Sequence, residues 1–187
     1  MGRIRFAGAL LVIGLLAGRC VAQELQLEPG TFCGPMHFAG VVPGVTNDAQ
    51  VIRLLGAGVS RPQEGDTGAR YFVNSAHTAT LRIETCTDRV VCEMSLEAGV
   101  PTTLSASEQG RAVSAHFKPS EGFGSWHKLR LGSTQVEVLS NLGKPARKDS
   151  EDSWVYESHC ACELPEYMTL VFSGGKVTRV VFSAPAG

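Results

Sequence analysis

Asn47–Gly56 reads NDAQVIRLLG and Thr134–Gly143 reads TQVEVLSNLG. Set 87 residues apart, Ala49 matches Val136, Val51 matches Val138, Ile52 matches Leu139 and Leu55 matches Leu142. Each stretch opens on a side chain able to accept from orphan helix amides, with Gln50 or Glu137 three positions on, the capping-box spacing. Each closes on a glycine, which takes the left-handed conformation that stops a helix. The pattern predicts two short helices of about ten residues, with apolar faces at 49/52/55 and 136/139/142.

Strand signals follow each helix. After the second, Trp154-Val155-Tyr156 leads to Tyr167–Phe172, the turn Ser173-Gly174-Gly175-Lys176, and a return over Val177–Phe182. Alternating apolar positions around Gly-Gly mark a hairpin. After the first, Ala69–Val73 leads to Ala79–Thr85, a turn near Thr87-Asp88, and Val90–Leu96, with Leu81 and Ile83 expected in the roles of Leu170 and Phe172. The expected fold is α+β: a tandem repeat of a small unit, a short helix or helices packed on a three- to four-stranded antiparallel sheet. The units run over 44–97 and 124–187. A connector spans 98–123 and reads as partly ordered, with Ser105–Phe117 open to either a short helix, despite Gly110, or an extended linker, and 23–43 forms an extended lead. Pro62–Gly68 is a polar loop. Units near 60 residues have little core of their own, so packing the sheets side by side or burying the connector helps both.

Residues 1–22 read as a cleavable export signal: Arg3 and Arg5, the uncharged run Ala7–Ala17, then Cys20-Val21-Ala22 before Gln23. The run is too short for a permanent membrane span. Cys20 could be lipidated, but Arg19 stands where a lipoprotein signal needs a small residue, so a free start at Gln23 is favoured. Membrane association is expected only with lipidation at Cys20. Without the signal, 14 basic residues face 18 acidic ones, a net charge of −4. No basic block is available to neutralise phosphates, which argues against nucleic acid as a partner.

Five cysteines remain, Cys33, Cys86, Cys92, Cys160 and Cys162, in keeping with an oxidising compartment. Cys86 and Cys92 flank a turn and are a plausible bridge. Cys160 and Cys162 could bond each other only with strain, and either could instead reach Cys33. An odd count leaves one thiol free or shared between chains.

Lys128-Leu129-Arg130-Leu131-Gly132-Ser133-Thr134, Leu142-Gly143-Lys144-Pro145, Trp154-Val155-Tyr156 and Leu170-Val171-Phe172 with Gly175-Lys176-Val177 resemble the SmpA/OmlA (BamE-like) family of bacterial outer-membrane lipoproteins. The resemblance covers residues 126–183. The first copy matches more loosely, with Gly44 and Leu55-Gly56 kept and Gly58 where proline would stand. Two such units in tandem are also similar to secreted β-lactamase-inhibitor proteins. The resemblance implies a non-catalytic protein-binding scaffold of the cell envelope, periplasmic or secreted, or alternatively an outer-membrane lipoprotein. Its partner is then an envelope assembly component or, for an inhibitor, a secreted enzyme.

No catalytic motif stands out. Ser125-Trp126-His127-Lys128 has a nucleophile-base spacing but lacks companion motifs. His159, Cys160 and Cys162 are weak candidates for a soft metal, set against an oxidised loop. No cofactor is implied. Trp126, Trp154, Tyr156 and Tyr167 are residue types that anchor partners, although strand aromatics more often fill a core, the favoured role for Trp154 and Tyr156.

Overall fold

The computed structural model describes residues 31–32, 37–62, 67–120, 129–158 and 166–184. In chain order these form β1 (Thr31–Phe32), α1 (Asp48–Leu55), β2 (Val59–Pro62), β3 (Gly68–Asn74), β4 (Ala79–Thr85), β5 (Val91–Ala98), α2 (Ala106–Ala112), β6 (Val113–Ser114), α3 (Gln135–Leu142), β7 (Arg147–Ser150), β8 (Ser153–Ser158), β9 (Glu166–Ser173) and β10 (Lys176–Ser183). All ten strands join one sheet in the order β1-β8-β9-β10-β5-β4-β3-β2, with β6 on β3 and β7 on β8. The pairings are antiparallel except β1 with β8 and β6 with β3. The protein is therefore α+β, with a largely antiparallel sheet.

The capping boxes form as their spacing predicts. The Asn47 side chain accepts from the Gln50 amide while Gln50 caps the Asn47 amide, and Thr134 and Glu137 do the same for α3. The connector also folds a helix, α2, under a third box between Ser105 and Glu108. The expected helix faces are rotated, however. Val51 and Leu55 of α1 and Val138 of α3 enter the core, with Leu142 packed against it. Ala49 is exposed, as are Ile52, Leu139 and Val136, the last at 75%. Apolar residues surround more than half of α1, so periodicity alone does not fix its buried face. The tether does: the Val91 amide donates to Thr46 and the Gly44 amide to Val91, holding the chain entering α1 against the end of β5.

One core cluster holds residues of α1 and α3 and of one sheet face, including Phe72, Leu81, Met94, Phe182, Leu170 and Trp154. The sheet crosses the middle of the molecule through β5 and β10, where Met94 lies opposite Phe182 and Leu96 opposite Val180. Edge-to-edge pairing of β5 with β10 thus answers the small-core problem, placing residues from β3 across the sheet to β8 in one large cluster. Register also corrects one expected equivalence. Thr85 faces Val91 and Phe172 faces Val177, so Leu81 and Ile83 hold the sheet positions of Met168 and Leu170, not those of Leu170 and Phe172.

The β9–β10 turn uses Gly174 and Gly175 at φ 56° and 72°, the mirrored turn whose twist matches a hairpin. Gly58 has φ +57°, and an added Cβ would lie 2.7 Å from the Phe72 ring and from the Tyr71 carbonyl. Close approach of this backbone to β3 explains glycine there.

Candidate functional site: the charged sheet face

Alternate residues on each strand point away from α1 and α3. Register aligns them in rows across β4, β5, β10 and β9: Arg82-Ser95-Val181-Thr169, Thr80-Glu97-Arg179-Val171, and Glu84-Glu93-Ser183-Tyr167. Over β2 and β3 this face is covered by the connector. Leu104 and Ala112 cluster with Val59 and Val73, with Tyr71 and Val100 against them. Arg61 pins the cover by donating to the Thr103 carbonyl at 2.6 Å and to both Glu108 oxygens, and it stacks over Tyr71. The Ser105 amide and hydroxyl, then Arg61, hold the Glu108 carboxyl down to about 2. No described helix lies over the four strands beyond it.

The charges there are organised among themselves. Glu84 and Glu93 stand directly opposite each other, an arrangement that costs energy for like charges. Arg82 lies against Glu84 and reaches Glu93 at 3.5 Å. Arg179 pairs with Glu97 at 3.0 Å and donates to the Ser95 hydroxyl at 2.9 Å. Side chains of Arg82, Glu93 and Arg179 remain 24%, 31% and 40% exposed. Short residues, Ser95, Val181, Thr169 and Ser183, lie among them, and Tyr167 closes one end half-buried. Ser95 and Thr80 are themselves buried, at 1% and 2% exposure, so what remains in contact with solvent is a half-buried surface dominated by its charges, with Tyr167 at one end.

Of the described aromatic candidates, Tyr167 is found on this face and Trp154 and Tyr156 are not. Trp154 and Tyr156, offered as partner contacts, are 2% and 1% exposed and belong to the core. Both point toward the helices, Trp154 against Phe172 with ring centroids 4.6 Å apart and Tyr156 donating to the Gly143 carbonyl at 3.0 Å. Burial pushes the Tyr156 phenol well up from its usual range. Burial corrects their candidacy and fits the core alternative. Trp126, the Ser125–Lys128 motif, His159, Cys160, Cys162, Cys33 and the export signal lie outside the described residues. Cys86 and Cys92 are bonded, with Cα atoms 5.7 Å apart. Among the described residues no three His, Cys, Asp or Glu side chains gather as metal ligands.

The charged rows have a signal in the sequence: Arg82-x-Glu84 and Glu93-x-Ser95-x-Glu97 alternate with the core residues Leu81, Ile83, Met94 and Leu96. A 260 Å³ cleft on the other side of the sheet is lined in part by Asp48, Ser60, Arg70, Thr85 and Arg89. Asp48 already engages Arg70 there through two bonds, at 3.0 and 2.9 Å, which leaves that guanidinium committed to the fold.

No protein-family model matches the chain, and no curated protein matches it. Among solved structures, it is similar to a DUF4309 family protein (YjgB) from Bacillus subtilis, at TM-score 0.50 and 15% identity over 81% of this chain and 88% of that one. It also matches an extracellular protein containing a SCP domain from Bacillus anthracis, at TM-score 0.45 and 9% identity over 88% of this chain and half of that one. At this identity the first likeness concerns the fold alone.

Proposed function

We propose that the chain is an exported, non-catalytic protein-binding module of the bacterial cell envelope, working through the sheet face of β4, β5, β10 and β9. The observation that carries this reading is the row of partly exposed charges, with Tyr167 at one end, on a face of paired strands that no described helix covers. Protein-binding surfaces typically present aromatic and arginine anchors within such polar surroundings. The chain is read as two copies of one unit, each a capped helix followed by four antiparallel strands. The equal helix caps, the matching tethers of α1 and α3 to the strands beside them, and the resemblance of 126–183 to the SmpA/OmlA pattern support that reading. Export rests on residues 1–22, and the Cys86–Cys92 bridge suits an oxidising compartment.

Affinity capture from native envelope with the mature chain, alongside Tyr167→Ala, tests the proposal. Capture of an outer-membrane assembly component that the variant loses supports it. Capture that the variant retains, or no specific partner at all, overturns the face as the site. Mass spectrometry of the mature N-terminus separates a free protein starting at Gln23 from a lipidated one starting at Cys20.

A second reading, a secreted enzyme inhibitor, is favoured by the continuity of the face across β5 and β10, which lets both halves press on one partner. Stoichiometric inhibition of a secreted hydrolase by the soluble chain distinguishes it.

A further inference from the structure

Two short strands complete the sheet in the half to which they do not lead. β1 precedes α1 in the chain, yet it pairs in parallel with β8, Thr31 opposite Glu157 and Phe32 opposite Ser158. β6 precedes α3, yet it pairs in parallel with β3, Val113 opposite Val73 and Ser114 opposite Asn74. The edges they fill are built alike. β8 carries β7 antiparallel along Ser153–Val155 and then β1, while β3 carries β2 antiparallel along Gly68–Tyr71 and then β6.

From these edges the chain returns to the helix side of the sheet in both halves. Phe38 and Phe117, each a few residues past its short strand, are buried and meet edge to face with centroids 5.8 Å apart. The Ser114 hydroxyl donates to the carbonyl of Leu55, the last residue of α1, at 2.6 Å. The segment that precedes α3 therefore closes the end of α1.

We propose that the two halves are strapped to each other by this exchange, so that the leading segment of each is a working part of the other. The inference does not depend on the binding reading. On the side away from β9 and β4, the described pairings of Glu157–Ser158 and Val73–Asn74 run to β1 and β6, segments that lead toward the opposite half's helix. Local opening of each edge is then governed by residues that the chain order assigns elsewhere. Halves that behaved as separate domains would open independently, each answering to its own leader.

Amide hydrogen exchange on the mature full chain tests this. The Thr31→Pro/Phe32→Pro double variant removes both β1 donors. It should speed exchange of whichever Glu157 or Ser158 amide faces β1 by roughly tenfold, beyond any change in α1. Ser114→Ala should speed exchange of Gly56 and of whichever Val73 or Asn74 amide faces β6 by a similar factor, beyond any change in α3. If the proline pair prevents folding, Thr31→Gly/Phe32→Gly gives the same readout through backbone freedom. An excess at the opposite half's edge supports the exchange. A larger effect in the variant's own half, or no excess at either edge, overturns it.

Discussion

The amide of Val91 donates to the carbonyl of Thr46 at 2.8 Å. This bond sets the start of α1 on the end of β5. Val177 donates to Ser133 at the same distance, holding α3 against β10. The two clamps differ in what shapes the neighbouring turn. Gly174 and Gly175 make the second turn by conformation alone, whereas the first is longer, with Asp88 and Arg89 at positive φ and the Cys86–Cys92 bridge across it. The bridge limits the unfolded chain by closing a short loop. Cys86→Ser/Cys92→Ser should therefore lose about 2 kcal/mol, seen as a lower urea midpoint, and Val91 should exchange faster while Val177 does not.

Helix starts offer a second measurement. Asn47→Ala and Thr134→Ala each remove a cap that serves an orphan amide, and each should cost about 1 kcal/mol. The partner carboxylates give the pH signature. Glu108 is held down to about 2, first by the Ser105 amide, and Glu137 is lowered, first by the Thr134 amide. A depressed folded value means the unfolded state binds more protons, so this stability is complete above the ordinary carboxylate range and drains away as pH falls through the folded values. Urea midpoints measured from pH 5 down to pH 2 should fall less steeply in Glu108→Gln than in the parent chain.

Much of this architecture was legible because local chemistry and tertiary structure agree. Caps at Asn47 and Thr134, glycines at 56 and 143, and the Gly174-Gly175 hairpin each specify one conformation from a few residues. The buried helix faces were not legible, because α1 offers apolar groups at 49, 51, 52, 54 and 55 and the choice is made by Thr46 on Val91. Aromatic residue type was likewise an unreliable guide to the surface. Trp154 and Tyr156 lie on the core side of β8, and two-residue alternation assigns a face without saying which face is covered. The exchange of β1 and β6 depends on parallel contacts between residues about 40 and 126 positions apart, which no local pattern encodes.

Tyr156 provides a readout of the core from alkaline titration. Its phenol is raised by burial, so the folded state keeps it neutral while the unfolded chain ionises near pH 10. Above that pH the unfolded state binds fewer protons, and stability falls as pH rises. Of the three tyrosines, one should ionise only together with unfolding when phenolate absorbance is followed. Tyr156→Phe should remove that step, at a cost of about 1 kcal/mol for the hydrogen bond lost to Gly143.

The charged face can be separated from the fold by charge reversal. Glu93→Lys relieves the opposition of Glu84 and Glu93 while setting a cation beside Arg82, so the two effects offset and stability should move by no more than about 0.5 kcal/mol. Binding should respond differently. A partner seated across β5 and β10 meets an inverted charge near the middle of its contact, and Tyr167→Ala should cost it about 2 kcal/mol of affinity, the loss typical of a hot-spot aromatic. Val136→Asp, on the outer side of α3 where that residue is 75% exposed, serves as the comparison and should leave binding intact. Calorimetric titration of the captured partner against the three variants decides the matter. Sensitivity at Glu93 and Tyr167 with none at Val136 assigns contact to the sheet, and the reverse pattern moves the site to the helix side.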